Sequence, residues 1–113
     1  MADCLLCKKI NGEIPSKKVF ENEKVYAFYD IAPQAPVHVV IVPKEHIGSA
    51  NEITYENSRA VADVYEAVPE IAKALGVEKN GYRIVNNCGK DAGQTVFHIH
   101  FHLLAGTQGG KMY

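Results

Sequence analysis

The run Thr95-Val96-Phe97-His98-Ile99-His100-Phe101-His102-Leu103-Leu104 constrains this chain more than any other stretch. Large apolar residues and histidines alternate along it with a period of two. That is the period of a β-strand with one buried face. The spacing predicts a strand over Val96–Ala105, with Ile99, Phe101 and Leu103 turned into a core. His98, His100 and His102 then line the other face, each about 6.6 Å from the next. A strand that needed only polarity there would use Thr, Lys or Glu. The chain holds five histidines, and three of them fall in this run, so the open face is built for chemistry or metal. A zinc ion binds nitrogen at about 2.0–2.1 Å, so two of its ligands lie only about 4 Å apart. Alternate histidines of a flat strand cannot all meet one ion. At most one or two bind metal, and the rest are free for catalysis.

Such a strand needs partners. Lys17 to Glu21 and Lys24 to Asp30 read as two strands around the turn Glu21-Asn22-Glu23, and Val19, Val25, Tyr26, Phe28 and Tyr29 suit them. His38-Val39-Val40-Ile41-Val42 is a compact β-branched run ended by Pro43, and predicts a central strand. Tyr82 to Asn87 is a fourth strand. Asn87 to Gln94, with Gly89, Asp91 and Gly93, reads as a turn-rich loop. A short helix is predicted over Cys4 to Ile14, with Asp3 as N-cap, Leu6 and Ile10 on one face and Gly12 as its stop. The long helix is predicted over Thr54 to Leu75. Val61, Val64, Tyr65, Val68, Ile71, Ala72 and Leu75 recur at helical spacing, and Gly76 ends it. Pro69 inside it is expected to kink or split it. The tail from Gly106 to Tyr113 has three glycines and no periodicity. Helices and strands are largely segregated, so the class is α+β with an antiparallel sheet; a parallel one would need a crossover helix between most strands.

A chain of 113 residues is expected to form a single domain over 1–113. Twelve basic against thirteen acidic residues leave a formal charge of −1. No basic field is available to hold a nucleic-acid backbone. No apolar run approaches a membrane span, and Met1-Ala2-Asp3-Cys4 opens no secretory signal. Three cysteines form no disulfide framework, which fits a reducing, cytoplasmic setting.

His98-Ile99-His100-Phe101-His102-Leu103-Leu104 resembles the signature of the histidine triad (HIT) nucleotide-binding proteins. Asn86 with Gly93-Gln94-Thr95-Val96-Phe97 is similar to that family's phosphate-side loop. The stretch from Asp30 to Ile47, with Ala32-Pro33-Gln34-Ala35-Pro36 and Pro43-Lys44-Glu45-His46, is similar to it as well and points to the nucleoside phosphoramidase branch. The resemblance runs from about Cys4 to Gly106. It implies a five-stranded antiparallel sheet with one long and one short helix, and a homodimer whose two sheets join. Val61, Val64 and Val68 beside Ala60 and Ala67 give the long helix apolar surface for such a two-fold contact.

The resemblance also implies roles. His100 is the nucleophile that attacks the α-phosphorus of a purine, AMP-type nucleotide; neutral imidazole suits this near pH 7. His102 contacts the phosphate and helps the leaving group depart. His38 orients the triad. Asn86, Gly93 and Thr95 contact the phosphate, and Asp30 holds the ribose hydroxyls. Phe28, Ile31, Leu5, Leu6 and Ile14 wall the base. By spacing alone, Cys4-x-x-Cys7 is a zinc half-site, a redox motif or a coincidence. The family resemblance implies a structural zinc held by Cys4, Cys7, His46 and His98. Cys88 stays an unpaired thiol. The expected activity is hydrolysis of nucleoside phosphoramidates or nucleotidyl conjugates through a nucleotidyl-histidine intermediate, with no organic cofactor. The alternatives are a dinucleoside polyphosphate hydrolase, or a nucleotide-binding sensor or interaction module with little turnover. The tail Gly109-Gly110-Lys111-Met112-Tyr113 and the absence of Trp depart from the branch's usual ending.

Overall fold

The computed structural model describes residues 4–108. Five strands form one antiparallel sheet: β1 (Lys18–Glu21), β2 (Val25–Tyr29), β3 (Val37–Pro43), β4 (Arg83–Val85) and β5 (Phe101–Ala105), in the order β1-β2-β3-β5-β4. Asn22 makes the first hairpin tight, because its Oδ1 accepts from the backbone N–H groups of both Lys24 and Val25 at 2.8 Å. The predicted α+β class and five-stranded antiparallel sheet are what the chain forms.

The two helices sit on opposite faces of the sheet. Helix α2 (Arg59–Leu75) lays Val64, Val68, Ile71 and Ala72 against Val39 and Ile41 of β3 and Leu103 of β5. Helix α1 (Leu5–Ile10) lays Leu6 against Tyr26, Phe28, Val40 and Val42 on the other face. Six residues make a marginal helix alone, so α1 depends on that contact and on its cap. Cys4 occupies the N-cap and its sulfur accepts from the Cys7 N–H at 3.3 Å; the expected cap, Asp3, lies outside the described residues, as does the tail from 109. The helix stops at Ile10, short of the expected Ile14.

The long helix is also shorter than expected, because residues 55–58 form turns ahead of Arg59. Pro69 neither splits nor ends it. Tyr65, whose carbonyl Pro69 cannot bond, is half-exposed, and Pro69 is exposed. Both lie on the solvent-facing side of the helix, where water can take the place of the missing bond. Gly76 terminates the helix at φ 73°, a left-handed turn that suits glycine.

The largest departure concerns the histidine run. Strand pairing starts at Phe101, not Val96. Residues 96–100 leave the ladder as a bend, anchored where the Ile99 N–H donates to the Ile47 carbonyl at 2.6 Å. Ile99, Phe101 and Leu103 are buried as predicted. The three histidines, however, do not share one strand face. His98 is turned fully inward, and only His102 is a ladder residue. Among the described residues no helix is long and apolar enough to cross a membrane.

Candidate active site

The bend and the sheet bring His38, His100 and His102 together. His38 opens the central strand, on the face that also carries Val40, and Val40 pairs with His102. The His38 Nε2 and the His102 Nδ1 are 2.9 Å apart. The backbone N–H of Gln34 donates to His38 Nδ1 at 3.0 Å. That nitrogen is therefore an acceptor, and the proton of His38 sits on Nε2, which donates to His102 Nδ1. His102 is left with its own proton on Nε2. The Asp30 carboxylate lies 3.4 Å from His38 Nε2, and its other oxygen accepts from the Ala32 N–H at 2.7 Å.

His100 is fixed separately. Its Nδ1 is 2.7 Å from the His98 carbonyl. A carbonyl can only accept, so Nδ1 carries the proton and Nε2 keeps a free lone pair. Asn86, just past β4, donates from Nδ2 to the His100 carbonyl at 2.9 Å. Burial lowers the pKa of His38 against the pull of Asp30. Burial, with His100 and His38 as neighbours, pushes His102 down to about 4, again against Asp30. His102 is thus a neutral N–H donor near pH 7.

Two clusters bring potential metal ligands within 4.8 Å of one another: Cys4, Cys7, His46 and His98; and Asp30, His38 and His102. Hydrogen bonding separates them. In the first, His98 Nε2 donates to the Pro43 carbonyl at 2.8 Å, which leaves Nδ1 as a lone pair aimed at the sulfurs. His98 Nδ1 lies 3.4 Å from Cys4 Sγ and 3.5 Å from Cys7 Sγ, and His46 Nδ1 lies 3.5 Å from Cys7 Sγ. Bond lengths of about 2.3 Å to sulfur and 2.0–2.1 Å to nitrogen give a zinc tetrahedron a sulfur–nitrogen edge of about 3.5 Å. The donor set fits. Burial and the adjacent Cys4 push the Cys7 thiol up to about 11, and a divalent cation is what makes two thiolates stable this close together. In the second cluster the Gln34 N–H holds His38 Nδ1 as the acceptor, so Nε2 is protonated and cannot ligate. That cluster is a hydrogen-bonded chain from Gln34 through His38 to His102, without the free lone pair on His38 Nε2 that a metal would need.

The residues expected at the phosphate, Gly93 and Thr95, lie on one loop. Gly93, at φ 85°, and Thr95 are exposed on it. Gln94 between them is buried, and its amide closes the loop. Its Oε1 accepts from the Gly89 N–H at 2.9 Å, and its Nε2 donates to the carbonyls of Gly48 at 2.9 Å and Val96 at 3.0 Å. Sequence reasoning passed over Gln94 because a polar residue between Gly and Thr reads as an ordinary turn. The expected base residues divide by exposure. Phe28 and Leu6 are buried, Ile14 is intermediate, Leu5 is 42% exposed and Ile31 is 92% exposed. A cleft of about 400 Å³ opens beside Asp30, lined also by Ser16, Lys17, Tyr29 and Ile31.

Comparison with known proteins places the chain in a family. The family model of the HIT domain matches residues 11–109. The chain is 38% identical over 110 residues to the purine nucleoside phosphoramidase of Escherichia coli, covering 97% of this chain and 92% of that one. It is 44% identical over 99 residues to a HIT-like protein of Helicobacter pylori, covering 88% and 92%. A HIT family hydrolase from Clostridium thermocellum superposes with a TM-score of 0.95 at 46% identity, covering 99% of this chain and 97% of that one. With the clustered histidines and the matched domain together, this chain belongs to the histidine triad, or HIT, family.

Proposed function

We propose that the chain hydrolyses purine nucleoside phosphoramidates through a nucleotidyl-His100 intermediate. The observation that carries this reading is the pair of opposed imidazole tautomers. The His98 carbonyl commits His100 to a free Nε2 lone pair, and the Gln34–His38 relay commits His102 to an Nε2 proton. A nucleophile and a hydrogen-bond donor therefore stand on adjacent alternate residues of one segment, with ring centres 5.3 Å apart. His100 Nε2 attacks the α-phosphorus as the phosphorus–nitrogen bond to the amine breaks. A departing amine leaves with a proton drawn from solvent, while the neutral His102 Nε2–H donates a hydrogen bond to the phosphoryl group as the bond breaks. Asn86 supports His100 from its carbonyl side, while Gly93 and Thr95 receive the phosphate oxygens. Asp30 takes the ribose hydroxyls. Water then attacks the nucleotidyl-imidazole. Over the cycle its hydroxyl ends on phosphorus and its proton on the amine. The similarity to a purine nucleoside phosphoramidase supports this bond choice over a phosphoric anhydride. Incubation with adenosine 5′-phosphoramidate should release AMP faster than incubation with a diadenosine polyphosphate, followed by chromatography. The reverse order would make the chain a dinucleoside polyphosphate hydrolase, and no release from either would make it a binding module.

Two further elements complete the reading. Cys4, Cys7, His46 and His98 hold a structural zinc; four protein ligands leave no open position for water. The three free thiols fit a reducing cytoplasm. The chain also works as a homodimer. The helix surface expected for the contact is not free, because Ala60, Val64, Ala67 and Val68 are buried in the chain's own core; the support is instead the edge strand β4, three residues long, and the half-exposed Tyr65 on α2, whose ring packs edge-on to Phe101. Sedimentation equilibrium at micromolar concentration should give twice the chain mass, and a monomer alone would reject the dimer.

A further inference from the structure

We propose that Lys9 reads the base, so that the chain selects 6-oxopurine nucleotides, those of guanosine and inosine, over those of adenosine. This rests on the reading of the His100 site as a nucleotide site. The Lys9 Nζ lies 4.4 Å from the centre of the Phe28 ring. Phe28 faces the same side of the sheet as the catalytic histidines: it pairs with Val40, and Val40 pairs with His102. Two strand spacings put the Phe28 and His102 backbones about 10 Å apart, the reach of a nucleoside from its 5′-phosphate. Asp30, the ribose residue, follows Phe28 by two. Phe28 is therefore at the base end of the site, and Lys9 is at its face.

Lys9 shares a helix face with Leu5, four residues earlier, and with Leu6, three earlier. Leu5 and Ile31 carry exposed apolar surface that a planar base would cover. Leu5, Leu6, Ile14, Phe28 and Ile31 bring no side-chain donor or acceptor. The ammonium of Lys9 is the polar group that this apolar set is given. Among the described residues no carboxylate pairs with it; its partner is the aromatic ring. Its four-carbon stem lets the ammonium move from the ring to the edge of a stacked base.

An ammonium has three donors and no acceptor. Guanine and hypoxanthine present two adjacent acceptors, O6 and N7, on one edge. Adenine presents N7 beside the N6 amino group, which is itself a donor. Lys9 thus satisfies both acceptors of a 6-oxopurine and opposes the amino group of adenine.

The test measures kcat/KM for guanosine, inosine and adenosine 5′-phosphoramidates on the full chain, and the Kd of GMP, IMP and AMP by calorimetry. Guanosine and inosine should both exceed adenosine by about tenfold, within the range expected for a lysine reading O6 and N7. Lys9→Met should bring the ratio close to one, and Lys9→Arg, which keeps the donors, should retain it. The proposal is overturned if adenosine equals or exceeds guanosine in the native chain. It is also overturned if Lys9→Met leaves the ratio unmoved, or if inosine follows adenosine and so places the selectivity at N2. Tighter GMP and IMP binding that depends on Lys9, with no phosphoramidate turned over, upholds the base reading and removes the hydrolase reading. No binding of any of the three nucleotides removes both.

Discussion

Replacing His100 with alanine should lower phosphoramidate hydrolysis roughly ten-thousandfold or more, while nucleotide binding stays within a few-fold of the native value. The two readouts separate because the residues that would hold the nucleotide do not depend on the His100 ring. The His38–His102 relay is built through Gln34, and the phosphate loop is closed by Gln94. Asn86 and the His98 bend engage His100 differently: Asn86 bonds its backbone carbonyl, and only the His98 carbonyl bonds its ring. The alanine variant thus keeps its backbone anchorage and loses the one nitrogen that can bond phosphorus. Quenched-flow analysis of the native enzyme should trap a nucleotidyl-protein adduct that the variant does not form. Retention of most of the rate by His100→Ala would show that water attacks directly and that the covalent route is wrong.

Stripping metal with a chelator, or making Cys4→Ser, should lower the melting temperature by roughly 10 °C or more. Elemental analysis of the purified chain should find about one zinc per chain. The size of the effect follows from what Cys4 does twice. Its sulfur caps α1 through the Cys7 N–H and also faces His98 Nδ1. With the metal gone, a six-residue helix keeps only its side-chain packing, Leu6 and Ile10 on the apolar cluster and Lys9 over Phe28, to hold it on the sheet. Activity should fall less steeply than stability, and only as far as movement of His98 shifts the carbonyl that bonds the His100 ring. No zinc in the sample, with Cys4→Ser melting at the native temperature, would reduce the two cysteines to packing residues.

Much of this architecture was legible in the residues. Alternation in the histidine run marked its apolar buried members correctly, Ile99, Phe101 and Leu103, but put His98 on the open face, where the structure buries it. The β-branched run from His38 became the central strand, and the helical spacing from Val64 to Ala72 became the buried face of α2. Periodicity could not show where the ladder stops. The bend buries Ile99 as a strand would but turns His98 inward beside it, and it is held by the Ile99–Ile47 bond, a contact between segments far apart in sequence. The same holds for the site. Histidine spacing pointed to catalysis, but the division of labour among the rings is set by backbone groups: the Gln34 N–H and the carbonyls of His98 and Pro43. Backbone groups are present at every position, so no residue type announces them. Lys9 was missed for a related reason, since a lysine beside another lysine on a short helix reads as a solvated face.

Gln94 ties two stretches together that are 46 positions apart, and so they open together. Releasing its amide from the Gly48 carbonyl frees the chain just after the metal segment. A move of the whole amide would also unfasten the 89–96 loop at both ends, at Gly89 and Val96. Fluctuations there cannot be shared out among independent small motions. They belong to one cooperative unit that includes the loop, the bend and the stretch behind His46. Such a unit stays shut until enough free energy arrives to open all of it. The ordering cost of the 89–96 loop therefore falls on folding.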